Sequence, residues 1–138
     1  MTANMELGSG AQPPAGLRLL LVSPDLLATS RITGLARDAG ARLETLRSLD
    51  GPPAGGPYDL VLLDLQALVG DPAVLVTQVR ALLVGQTADS GREPRVVAFG
   101  PHVAKQRLDE AREAGADAAI SRGELLGGFP AVLARYCG

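Results

Sequence analysis

The sequence has one cysteine, one histidine, no tryptophan, two phenylalanines and two tyrosines in 138 residues. A single cysteine, Cys137, excludes a disulfide framework and any zinc site built on several thiolates. A single histidine, His102, leaves no partner for a His/His metal centre. With Cys137 next to the C-terminus, a Cys–His catalytic pair is not expected either. So few aromatics leave little to sandwich a flavin or a base. Lysine is scarcer still: Lys105 is the one lysine among 13 basic residues, and with so much Ala, Gly and Leu this reads as GC-rich coding bias rather than function. The formal net charge is only −2, so no strong field of one sign draws in nucleic acid or an anionic membrane. Apolar runs such as Leu19–Val22 fall far short of the ~18 residues of a membrane span. The opening MTANMELGSGAQPPAG lacks the basic start and apolar core of a signal peptide, so a cytoplasmic protein is expected. GxSxG, HExxH, GxxxxGK[ST] and GxGxxG are all missing, and we expect no enzyme.

What is present is a globular composition, 46% hydrophobic and 20% charged, of a length that suits one domain. Residues 1–16 are Gly-, Ser- and Pro-rich without periodicity and read as a disordered tail; the domain spans 17–137. LRLLLV (17–22) reads as a buried strand. Ser23 as N-cap and Pro24 at the first helical position then open a helix that closes at Gly40. ARLETLR (41–47) alternates as an edge strand does. SLDGPPAGGP (48–57) is too rich in proline and glycine for a helix. YDLVLLDL (58–65) has the near-continuous apolar run of a parallel strand covered on both faces. Asp71 and Pro72 open a second helix, in which Val74, Leu75, Val79, Leu82 and Leu83 have helical spacing. PRVVAFG (94–100) is a strand and 102–114 a helix with Val103, Ala104, Leu108, Ala111 and Ala114 inward. DAAIS (117–121) is a short strand, and the last helix covers 129–136. Strands alternating with helices imply a doubly wound, five-stranded parallel sheet in a three-layer sandwich, with the second helix short or missing. Sites in such folds lie at the carboxyl ends of the strands, here Ser23–Asp25, Asp64–Leu68, Phe99–His102 and Ser121–Gly123.

LRLLLVSPD, YDLVLLDL, PRVVAFG and AREAGADAAISRG, in this order and spacing, resemble the receiver domain of two-component response regulators, over residues 17–136. The resemblance implies a flavodoxin-like fold with a phospho-acceptor at Asp64, at the end of the third strand. It also implies a metal-holding acidic pair after the first strand, where this chain has Ser23, Pro24 and then Asp25. The family's hydroxyl position matches Phe99 or Gly100, its aromatic switch Ala119, its lysine Arg122, and the proline after the acceptor Leu68. Magnesium wants several oxygen ligands, which this set does not supply. The expectation is therefore a degenerate receiver that binds partners without a catalytic residue, metal or cofactor. Its partner is another signalling protein or a second copy, met through residues 102–136, and not nucleic acid or a membrane.

Two other readings belong to different classes. One is a working phospho-acceptor that uses Asp64 with Mg²⁺ held by Asp25. The other is a small-ligand or nucleotide binder at the strand ends. Among the smaller expectations, Arg122 pairs with Asp64 as a standing ion pair, and Asp25 lies in a helix's first turn. Ser121 and Glu124 form a capping box, His102 is a surface residue, Cys137 is an inert thiol, and GPPAGGP is a connector.

Overall fold

A computed structural model describes residues 13–87 and 91–138. Strand β1 is Arg18–Val22, followed by helix α1, Leu26–Asp38, and β2, Arg42–Leu46. Then come β3 (Leu60–Asp64), α2 (Pro72–Leu82), β4 (Arg95–Gly100), α3 (Lys105–Glu113), β5 (Ala118–Ser121), α4 (Arg122–Gly127) and α5 (Phe129–Cys137). All pairings are parallel, in the order β2-β1-β3-β4-β5. This is the doubly wound, receiver-like flavodoxin architecture that the strand–helix alternation implies.

The period of two along each strand divides the core. Leu19, Leu21, Leu60, Leu62, Val97 and Phe99 face one side, where Ile32 and Ala36 of α1 and Phe129, Val132 and Leu133 of α5 cover them. Leu20, Val22, Val61, Leu63, Val96 and Ala98 face the other, under Leu75, Val76 and Val79 of α2 and Leu108 and Ala111 of α3. Every residue of β3 is buried, as a central strand with both faces covered requires. β2, at the edge, is only half-buried.

No helix joins β2 to β3; residues 47–59 form an irregular loop. Its apolar residues do part of a helix's work. Tyr58 is buried, and Leu49 packs on the same cluster. Glu44 of β2 clips the loop down: its Oε1 accepts from the Tyr58 hydroxyl at 2.6 Å, and its Oε2 accepts from the Ala54 and Gly55 amides at 3.0 and 3.4 Å. Burial, and then the Glu44 carboxylate, push the Tyr58 hydroxyl well above the usual tyrosine range.

Several local expectations are corrected. The N-cap of α1 is Asp25, not Ser23, and Pro24 precedes the cap rather than opening the helix. The Asp25 carboxylate accepts from the Leu27 and Ala28 amides at 2.9 and 3.4 Å, while the Ser23 hydroxyl is engaged elsewhere. α3 starts at Lys105 and not at 102, so Val103 points outward at 80% exposure instead of into the core. Val74 is likewise exposed, because the inward stripe of α2 runs through Leu75, Val76 and Val79. The short α4 was not expected; the Ser121 hydroxyl opens it by accepting from the Glu124 amide at 3.0 Å, the forward half of the capping box. Asp71 and Pro72 open α2 as expected, the Asp71 carboxylate accepting from the Ala73 amide at 2.8 Å. Most of the expected disordered tail, residues 1–12, lies outside the described residues, as do 88–90 of the loop before β4. Among the described residues, no helix is long and apolar enough to cross a membrane.

Candidate functional site

The carboxyl ends of β1, β3, β4 and β5 bring together most of the expected residues. Asp64 ends β3 and stands opposite Phe99 of β4 in the sheet register. Asp64 and Ser23 are the two fully buried polar side chains of the described chain, each at 0% exposure. The Ser23 hydroxyl donates to Asp64 Oδ2 at 2.8 Å. The backbone amides of Gln66 and Ala67 both donate to Asp64 Oδ1 at 3.1 Å. Three donors thus hold a carboxylate out of contact with solvent, as a buried ionisable group demands. The same Ser23 oxygen accepts from the Asp25 amide at 3.1 Å, which ties the turn after β1 to the end of β3.

This arrangement answers the metal question on its donors. Asp64 spends both oxygens on protein N–H and O–H groups, and Asp25 spends Oδ1 on the first turn of α1. Ser23 offers a neutral hydroxyl in place of a carboxylate, and Pro24 has no side-chain donor atom. Among the described residues, no group of three or more His, Cys, Asp or Glu side chains gathers. A hard divalent cation needing several oxygens does not fit this set without rearrangement.

The other matched positions behave unevenly. Phe99 is buried in the core on the α1/α5 side. Gly100 has room beside it: a Cβ there would stand 3.7 Å from Leu108 and 3.8 Å from Leu65, ordinary contacts. Ala119 is half-buried and packs on the α2/α3 side, and Leu68 joins the same cluster. Arg122 does not pair with Asp64, contrary to expectation. Its Nη1 donates to the Gln66 side-chain oxygen at 3.3 Å, and the ion pairs among the described residues are Arg80–Asp117 and Arg112–Asp109. The reason is local: Asp64 is buried and already takes three donors, while Gln66 offers Arg122 a nearer, less buried acceptor oxygen. His102 is exposed. Burial, and then the nearby Asp59 charge, push the Cys137 thiol up to about 11, away from thiolate reactivity.

Three contributors had no role assigned from the sequence. Gln66 links Arg122 to the turn after Asp64. Arg107 donates from Nη2 to the Leu65 carbonyl at 3.0 Å, fastening α3 to the same turn. Glu44 holds the loop that stands where a helix would. The first two lie inside segments already singled out, Asp64–Leu68 and 102–136; Glu44 gave no signal beyond alternation in an edge strand.

No protein-family model and no curated protein matches the chain. Solved structures do. The chain is similar to the receiver domain of a sensor histidine kinase from Pseudomonas aeruginosa, a structure with magnesium in its active-site cleft, at 21% identity and a TM-score of 0.65, over 90% of this chain and 99% of that one. It is similar to the receiver domain of the Saccharomyces cerevisiae response regulator Ssk1, crystallised with the histidine phosphotransfer protein Ypd1, at 14% identity and a TM-score of 0.68, over 92% and 91%. It is also similar to a Burkholderia pseudomallei protein described as pilus-assembly-related, at 16% identity and a TM-score of 0.61, over 88% and 89%. At these identities the likeness establishes the fold.

Proposed function

We propose that this chain is a degenerate receiver-like domain that serves as a protein–protein interaction module in bacterial signal transduction, without Mg²⁺-dependent aspartyl phosphorylation and without catalytic activity of its own. The observation that carries this reading is the state of Asp64. At 0% exposure, with its oxygens engaged by the Ser23 hydroxyl and two backbone amides, it is built as a structural carboxylate. A phospho-acceptor has to present a free oxygen to an incoming phosphoryl group beside a cation that neutralises it. Here both oxygens already accept from donors in a dry site, and the acidic side chain after β1, Asp25, has one oxygen committed to capping α1. The receiver fold of the neighbours supports the signalling assignment, and the crystallised Ssk1–Ypd1 pair supports a partner of the same kind, another signalling protein or a second copy. By analogy with receivers, residues 102–136 are the face proposed for it.

The test is an amide NMR titration of the full chain with Mg²⁺ and then beryllofluoride, which mimics an aspartyl phosphate. A flat response at Ser23, Asp25, Asp64 and Gln66 is the expected result. Saturable shifts at those amides that grow with beryllofluoride would overturn the reading and restore a phosphorylation switch.

A further inference from the structure

The loop between β2 and β3 is tied to the domain at few points. Among the described residues, no backbone–backbone hydrogen bond joins residues 48–57 to a neighbouring strand or helix. Two side chains make their polar connections to the rest of the domain. Arg18 Nη1 donates to the Gly56 carbonyl at 3.1 Å, and Glu44 Oε2 accepts from the Ala54 and Gly55 amides. The other Glu44 oxygen takes the Tyr58 hydroxyl, so one carboxylate gathers three positions of the loop. Glu44 is itself fixed, because β2 pairs in register with β1 and sets Glu44 beside Leu20. The fit is close: a Cβ at Gly55 would stand 2.5 Å from Glu44 Oε1 and would move the carboxylate.

The apolar anchoring is as local as the polar. Pro53 is buried and Leu49 half-buried. Together they close a crevice over Leu46, Val79, Leu82 and Leu83 that has no polar lining and is too narrow to admit a water. Beyond this crevice the loop is anchored by Tyr58 at its far end. Both ends are held in the sheet: the Leu46 carbonyl accepts from the Ser23 amide at 3.0 Å, and the Asp59 amide donates to the Arg18 carbonyl at 2.8 Å. A segment with fixed ends, few buried apolar contacts and few backbone hydrogen bonds opens at a lower free energy than the core does.

We propose that residues 48–57 are a strap that opens and closes as a unit while the sheet stays folded, with Glu44 as its latch. Closed, the strap hides the apolar strip of Leu46, Leu82 and Leu83 in the place where a helix is missing. Open, it bares that strip on the α2 side of the sheet. Losing the Glu44 carboxylate frees positions 54, 55 and 58 together, so a single group governs the balance between the two states. This device is independent of the reading of Asp64, which lies at the other end of β3 from Tyr58 and Asp59.

Two measurements on the full chain test it. The first leaves the strap unaltered and follows deuterium exchange by NMR. The Ala54 amide is expected to be protected at least ~10-fold less than the Leu62 amide of β3, because it needs only the strap to open. Val132→Ala, in the cluster on the opposite face of the sheet, is expected to speed exchange at Leu62 by ~10-fold or more and to leave Ala54 unchanged. In the second, Pro53→Cys puts a thiol in the crevice, and its alkylation is followed by peptide mass mapping, which separates it from Cys137. Glu44→Ala is expected to speed that alkylation by ~10-fold or more, and Glu44→Gln by less, since its side-chain oxygen still accepts. Equal acceleration of Ala54 and Leu62 by Val132→Ala would overturn the proposal, because the strap would then open only with the whole domain. An alkylation rate that Glu44→Ala leaves unchanged, whether slow or already that of an exposed thiol, would overturn the role of Glu44. Neither readout involves Mg²⁺ or beryllofluoride, so failure here is separable from failure of the pseudo-receiver reading.

Discussion

Ser23→Ala removes one oxygen from the most buried polar pair of the molecule. The hydroxyl donates to Asp64 Oδ2 at 2.8 Å, both side chains are at 0% exposure, and the same oxygen accepts from the Asp25 amide at 3.1 Å. The lost bond to a buried carboxylate costs about 1.5–3 kcal/mol, and the orphaned amide, in a part-buried turn that water can reach, adds roughly 0.5–1 kcal/mol. The expected destabilisation is therefore ~2–4 kcal/mol, which for a domain of this size lowers Tm by roughly 8–16 °C. Chemical denaturation should show an unchanged m-value and a lower midpoint. Asp64→Asn completes the test. The amide oxygen can keep both backbone donors, and its NH₂ can face the Ser23 oxygen. In the Ser23→Ala background the neutral amide relieves a stranded charge, so the double variant should be more stable than the sum of the singles by about 1–2 kcal/mol. A Ser23→Ala cost below ~0.5 kcal/mol, or strict additivity, would refute the claim that Asp64 is held as a structural carboxylate.

Three other consequences follow. Tyr58 has its folded-state pKa raised and Cys137 is raised from 9.0 to about 11, so both contribute stability that is complete below their unfolded values and is lost as pH rises through the folded ones; stability should decline above pH ~9, and Tyr58→Phe and Cys137→Ala should each flatten part of that limb in denaturation series. Gly100→Ser should fold within ~1 kcal/mol of the parent, since its Cβ meets only ordinary contacts, and should still show no beryllofluoride response, because the seal on Asp64 lies at Ser23 and not at Gly100. Arg80→Ala should cost about 1–2 kcal/mol by denaturation, because Arg80 bridges Asp117 at 3.0 Å and also donates to the Pro94 and Gly115 carbonyls, with its side chain 35% exposed; a cost below ~0.3 kcal/mol would leave it a solvated arginine.

The architecture was legible because its signals are long and redundant. Unbroken apolar runs at 19–22, 60–63 and 96–99, bounded by turn signals, read as strands covered on both faces, and the caps at Asp71 and Gly40 marked where helices began and ended. The proline-rich loop was equally readable as the place of an absent helix. What failed were side-chain choices between near-equal local partners. Ser23 and Asp25 are both good N-caps two residues apart, and the sequence carries no sign that Asp64, 41 residues away, claims the serine. Val103 keeps helical spacing with Ala104 and Leu108, but α3 begins two residues beyond it. Arg122 was matched to Asp64 by charge alone, which ignored the amides that already satisfied the carboxylate.

If the domain is the degenerate receiver proposed, those amides link its departures from the receiver pattern. On that reading, with Ser23-Pro24 where receivers carry an acidic pair, no bound cation would balance the end of β3, and a buried carboxylate there needs another source of positive potential. The structure supplies it with the Ser23 hydroxyl and the amides of Gln66 and Ala67, all dipoles and no formal charge. Arg122 donates to Gln66 and not to this carboxylate, and on the proposed reading no phosphoryl group arrives to which a hydroxyl at Gly100 or an aromatic at Ala119 would respond. The two matched positions, Gly100 and Ala119, are small, and Arg107 and Arg122 are engaged by the turn after Asp64, through the Leu65 carbonyl and the Gln66 side chain. On the proposed reading the departures at Ser23, Gly100 and Ala119 thus meet in one contact, and the stability of the Ser23–Asp64 pair is the quantity that tests it.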